Sequence, residues 1–186
     1  MSNNEVVLTK LERYFLSNQL RILEALYPDE ANSLSVRRES IENGYEMLYT
    51  WDMDFIYDGD DKMTRAECSE VWNTMDMFDA ISRAVTSHGV EAVENNHFAK
   101  FRGYDGNNES KFMAFAAFTV ERLQRFTYLP GAEQGNWNSH IPTRDTYKRM
   151  FEEWQKIPEQ HRFDLTKEQL NTVVNAAIHP ENQRAK

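Results

Sequence analysis

The chain has 186 residues, of which 40% are hydrophobic and 12% aromatic, with a single cysteine and a formal net charge of −9. This composition supports one domain with a real core and excludes a disordered chain or a disulfide scaffold. The longest apolar run, Phe112 to Phe118, is too short to span a bilayer, so no membrane segment is expected.

The first element opens at Thr9. Glu12 stands three residues later, the spacing of a capping box in which hydroxyl and carboxylate satisfy the amides that a helix start leaves unpaired. Leu11, Phe15, Ile22 and Leu26 line one stripe of this helix, with Leu16, Leu20, Leu23 and Tyr27 beside it. The pattern predicts a broad buried face, ended by Pro28. Asp29 or Asn32 opens the next helix, which runs past Ile41 to Gly44, a residue that tolerates the positive φ of a helix stop. "YEMLYTWDMDFI" reads as a further short, aromatic helix, and "YDGDDKM" as a turn.

Thr64 and Glu67 repeat the capping box. Cys68, Val71, Met75, Phe78, Ile81 and Val85 then recur at steps of three and four, predicting a long amphipathic helix that stops at Gly89. Glu67, Glu70, Asp76 and Asp79 fall off that stripe, as a solvated face would. Cys68 lies at an apolar position and reads as buried and inert. From Gly89 to Gly106 the chain reads as a short helical piece and a loop. Residues 108–128 are apolar nearly all round, with alanines among phenylalanines, and predict the most buried helix of the bundle. "LPGAEQGNWNSHIP" is a long polar loop. Tyr147, Met150, Phe151, Trp154 and Ile157 mark another helix, and Thr166 with Gln169 caps a last one, carrying Leu170, Val173, Val174, Ala177 and Ile178. The expected fold is all-α: a single-domain helical bundle of about six to eight helices over 1–186, with a buried central helix near 108–128 and flexible ends at about 1–6 and 180–186.

Acidity is concentrated between Asp52 and Asp79, where nine acids face only Lys62 and Arg65 and carry −7 of the net −9. The nearest approach to a basic patch is "VRRES", flanked by acids, so no nucleic-acid partner is expected. The lone cysteine, with no basic-then-apolar leader in "MSNNEVVLTK", points to a cytoplasmic protein.

Two loops gather the residue types that chemistry needs. "FRGYDGNNES" brings together Arg102, Tyr104, Asp105, Asn107, Asn108 and Glu109. Its spacing fails the oxygen-ligand pattern of a calcium loop, because the positions that need a Gly and a Glu hold Ser110 and Ala116. The plain reading is a tight turn at Asp105-Gly106, a cap from Asn107 or Asn108, and Glu109 in the positive first turn. The functional reading is an anion site at the helix start, helped by Arg102. "GNWNSHIP" offers Trp137, Asn138, Ser139 and His140, either as a lid or as a core plug with a capped turn. "ENNH", Glu94 to His97, has the Glu-x-x-His form of a di-iron bundle but no second copy. No phosphate loop, nucleophile elbow or His-Glu-x-x-His motif occurs, so neither a metal nor a cofactor is expected.

Several stretches together, "LSNQ", "RRESIENGYE", "FRGYDGNNES", "NWNSHIP" with "YKRMFEEW", and "LTKEQLNTVVNA", resemble the YfbU-like family of bacterial proteins over roughly residues 8 to 178. The resemblance implies a single all-helical domain of a bacterial or phage cytosol, without an assigned reaction, cofactor or catalytic residue. It directs attention to Arg102, Tyr104, Asp105, Gly106, Asn107, Asn108, Glu109, Asn138, Ser139, His140 and Pro142. The acidic insert and the tail from Pro180 are less typical. The expected role is an interaction or regulatory module with a protein partner or a homo-oligomer. The alternative is an enzyme or small-ligand binder whose pocket joins "RGYDGNNE" to "NSH", with His140 as acid or base and within hydrogen-bond reach of Asn107, Asn108 or Glu109, directly or through one water.

Overall fold

The computed structural model describes residues 6–51, 53–57, 59, 62–129, 137–179 and 181. The expected flexible ends lie largely outside these residues, as do Asp52, then Asp58, Asp60 and Asp61 of the acidic turn, and residues 130–136 of the polar loop. The protein is all-α. Among the described residues there are six α-helices: α1 Lys10–Leu26, α2 Ala31–Asn43, α3 Arg65–His88, α4 Ser110–Glu121, α5 Arg144–Gln155 and α6 Lys167–Asn175. The chain divides into two compact units, Met1–Asp58 and Gly59–Lys186.

The first unit is a helical hairpin. Thr9 accepts from the Glu12 amide while Glu12 accepts from the Thr9 amide, so the first capping box forms as its spacing requires. Pro28–Glu30 is one 3-10 turn, and α2 starts directly after it with no side-chain cap, so neither Asp29 nor Asn32 caps that helix. Gly44 ends α2 in a left-handed conformation, φ 75°.

The broad buried face expected of α1 is split in two. Leu20 is buried with Ile41 and Tyr49, and Leu16, Leu23 and Leu34 pack against them. Leu11, Phe15, Ile22 and Leu26 are instead 60–65% exposed. At about 100° per residue these four lie on the side of α1 opposite Ser17 and Leu20, the residues buried toward α2. The reason is the polar zipper between the helices. Glu42 accepts from Ser17 at 2.6 Å and Arg21 at 3.0 Å, and Arg38 joins it to Glu24. The Ser17 hydroxyl first, then Arg21 and Arg38, hold the Glu42 carboxyl down to about 2. This pairing fixes which side of α1 meets α2. Among its described residues the aromatic stretch after Gly44 is not an α-helix: it contains one 3-10 turn, Glu46–Leu48, and leaves Trp51 and Phe55 exposed.

The second unit is built around α3, which packs on α4, α5 and α6. Its capping box, Thr64 with Glu67, is formed. Val71, Met75, Met77, Phe78, Ala80 and Ile81 are at most 1% exposed, which makes α3 and not α4 the most buried helix. The expected helix over 108–128 is shorter. Leu123 N–H bonds to Phe118 O, Arg125 N–H bonds to Thr119 O, and Gln124 turns left-handed at φ 53°. Phe112, Ala116, Thr119 and Val120 of α4 face the core, while Phe118 stays 48% exposed.

Nor are the acids of α3 a plain solvated face. Asp79 is buried and pairs with Arg83 at 2.8 Å, Glu67 pairs with Lys111, and Glu70 with Arg144. Cys68 is half-buried and free. The third capping box, Thr166 with Gln169, starts α6. Among the described residues no helix is long and apolar enough to cross a membrane.

Candidate functional site

The loop Phe101–Glu109 and the segment Trp137–Thr143 are brought together in the second unit. Tyr104 N–H donates to Trp137 O at 2.9 Å and Ser139 N–H donates to Tyr104 O at 3.1 Å, a parallel bridge between two short extended pieces. Gly103 makes the approach possible. Its φ is 79°, and a Cβ there would lie 1.9 Å from Trp137 O. Asn138 stitches the two turns: its Oδ1 accepts from Gly106 N–H at 3.0 Å and from His140 N–H at 2.9 Å. His140 itself sits at φ 59°.

Around this bridge many polar atoms are used internally, although the buried Tyr104 hydroxyl has no hydrogen-bond partner among the described residues. The Gly103 carbonyl accepts from Thr143 Oγ1 at 2.9 Å and from the Tyr147 hydroxyl at 3.1 Å. That hydroxyl in turn accepts from Arg102 N–H at 3.1 Å. Asp105 accepts from Asn107 N–H and from the side-chain amide of Asn108. The Asn108 bond first, then the Asn107 and Asn108 amides and the nearby His140, hold the Asp105 carboxyl below the usual carboxylate range. Glu109 is buried, and its carboxylate accepts from the amides of Asp105 (3.0 Å), Thr143 (3.0 and 3.1 Å) and Arg144 (3.0 Å).

The reading of Glu109 as the first-turn charge of its own helix is therefore corrected. Glu109 occupies the N-cap position of α4 with no side-chain cap, and its carboxylate caps α5 instead. Neither Asn107 nor Asn108 caps α4. The anion-site reading also meets a physical obstacle. The amides of Asp105, Gly106, Asn107 and Glu109 already donate to Glu109, Asn138, Asp105 and Asp105 in turn.

Burial pushes the Tyr104 phenol up and the Tyr147 phenol up to about 12, so both stay protonated at neutral pH. Trp137 is buried and its Nε1–H donates to Glu121 at 2.8 Å. Of the sequence candidates, Arg102, Asn107, Asn108 and His140 are exposed, while Tyr104, Asp105, Glu109 and Trp137 are core groups. The two segments adjoin, yet among the described residues the His140 ring forms no hydrogen bond to Asn107, Asn108 or Glu109.

Open space adjoins the first loop on its α3 and α5 side. A groove of about 700 Å³ is lined by Glu70, Asn73 and Thr74 of α3, Asn108 and Glu109, and Arg144, Lys148 and Phe151 of α5, among others. Trp137, Asn138 and His140 do not border it. Arg144 binds Glu70 through two bonds, at 2.8 and 2.9 Å, and its guanidinium lies 3.7 Å over the Phe112 ring. Sequence reasoning missed Thr143, Arg144 and Tyr147 as partners of the first loop. Tyr147 was visible only as a core position, and nothing local marks the other two. Among the described residues no three His, Cys, Asp or Glu side chains gather to hold a metal.

Helices, with a loop pair joined by the buried Glu109 carboxylate and the Tyr147 hydroxyl, define an all-α protein. A family model described as the YfbU domain matches residues 6–176, and the chain belongs to that family. It is 29% identical over 174 residues to the UPF0304 protein MJECS11 of Methanocaldococcus jannaschii, covering 91% of this chain and 100% of the relative. That relative is archaeal, so the likeness reaches beyond the bacterial proteins of the first resemblance.

Proposed function

We propose that this protein is an interaction module of the cytoplasm, acting through a helical surface and not through catalysis, with both units serving one functional domain. One observation carries the reading. Among the described residues, fourteen of the twenty large hydrophobic residues that stand exposed fall between Val7 and Tyr57, which supports a contact through the first unit. Soluble proteins seldom leave so much apolar surface in one region unless something covers it. The inward commitment of Asp105, Glu109, Tyr104 and Tyr147 supports the same reading, because it leaves those groups unavailable as acid or base.

The test is photo-crosslinking in the cell, with benzoylphenylalanine in place of Gln19 at the edge of the exposed face of α1. A discrete adduct that disappears in the Phe15→Glu, Ile22→Glu double variant is expected. The absence of any adduct overturns the reading.

A small-ligand role has one observation in its favour, the groove beside Arg144 and Lys148. It draws on Asn108 and Glu109 of the first loop but on nothing from the His140 loop.

A further inference from the structure

We propose that the partner of the exposed α1 face is a second copy of this chain, with the two α1 helices packed antiparallel about a two-fold axis passing between Asn18 and Gln19. The inference rests on the interaction-module reading and names its partner.

The pattern of the face is its own mirror image. Leu11, Phe15, Ile22 and Leu26 follow one another at intervals of four, seven and four residues. A two-fold axis at the midpoint sets Leu11 against Leu26 of the second copy and Phe15 against Ile22 of the second copy. Closed pairing by one patch with itself is the commonest way in which identical chains associate. Asn18 stands at the centre of the stripe, half-buried, where a polar side chain opposite a second amide fixes register. Charge selects the direction. A parallel pair would set the exposed Glu12 carboxylates of both copies at one level of the seam, whereas the antiparallel pair separates them; Arg21, held by Glu42 of α2, and Leu16, packed toward Leu20, stay outside the contact.

Size argues the same way. The four side chains, each 60–65% exposed, offer on the order of 500 Å² per protomer before Tyr14 is added, much of the roughly 800 Å² per partner of a standard interface. Among the described residues of the hairpin the buried hydrophobics are Leu20, Ile41 and Tyr49, a small core that cover over α1 would enlarge.

The purified full chain at about 10 μM, a concentration at which micromolar pairing is visible, is expected to have twice its 21.9 kDa monomer mass by light scattering. The Phe15→Glu, Ile22→Glu variant is expected to return to the monomer mass with unchanged helical circular dichroism, since both positions are exposed. A Gln19→Cys, Cys68→Ser chain is expected to form a covalent dimer with a short bis-maleimide, and an Asn32→Cys, Cys68→Ser control on α2 is not. A wild-type monomer, or a dimer indifferent to the double charge, overturns the proposal. If the photo-adduct at position 19 has a mass other than twice the chain, the second copy is overturned while the interaction module stands. If there is no adduct at all, both fall.

Discussion

The carboxylate of Glu109 accepts the backbone N–H of Thr143 at 3.0 Å, 34 residues further along the chain, and the N–H of Arg144 at the same distance. A helix start normally finds its cap in its own preceding residue, yet here the cap of α5 comes from the N-cap residue of α4. The order of the loop and the position of α5 are thus one property.

Glu109→Ala is expected to lower the stability of the chain by about 3 kcal/mol, because it strands the buried amides of Asp105 and Thr143 and the half-buried amide of Arg144. Glu109→Gln keeps one acceptor oxygen and should cost less. Urea unfolding of the three proteins checks the order, and equal losses for Ala and Gln would refute the cap.

Gly103→Ala forces a Cβ to within 1.9 Å of a backbone carbonyl at a left-handed φ. Neither clash nor dihedral can relax without opening the Tyr104–Asn138 bridge. A loss of about 3 kcal/mol is expected, of the size seen for strained backbone sites. Thermal unfolding of the variant reads it directly, and a change under about 0.5 kcal/mol, the ordinary surface range, would contradict the geometry.

Glu67 sets an acid limit. Lys111 first, then the amide and hydroxyl of Thr64, lower its carboxyl from 4.5 to about 2. A depressed folded-state value means that the contribution is complete above pH 4.5 and is lost as the pH falls toward 2. Glu67→Gln should flatten that part of the stability curve. An unchanged acid limb between these values would count against the pairing.

Asp76 has the opposite sign. Burial first, then the charge of Asp79, raises its carboxyl. Its protonated form suits the fold, so its contribution is present at low pH and is lost as the pH rises through the folded value. Asp76→Asn should raise the melting temperature at pH 7, and the gain should shrink in acid. A variant less stable than wild type at neutral pH would disprove it.

What could be read from the sequence divides along distance in the chain. The three capping boxes were legible because Thr and Glu or Gln three residues apart meet whenever a helix begins. The steps of three and four from Val71 to Ile81 marked α3 as plainly. Residues 108–128 misled because apolarity on every side does not say how many neighbours exist. The contacts of α4 leave Phe118 in water, and Gln124 turns the chain away early. On α1, leucines on two sides looked like one broad face, and only the Ser17–Glu42–Arg38 zipper decides which side is inward. At the candidate site the turn chemistry of Asp105-Gly106 was visible. Its binding to Thr143 and Tyr147 was not, since such contacts are specified by packing across some forty residues.

The loop from Asp105 to Glu109 resembles a receptor for a negatively charged guest, and the chain already provides that guest from its own side chains. A tether of a few bonds keeps Glu109 at a local concentration of millimolar order or above. Any outside anion competing for the same amides must therefore displace a carboxylate that is already tethered in place.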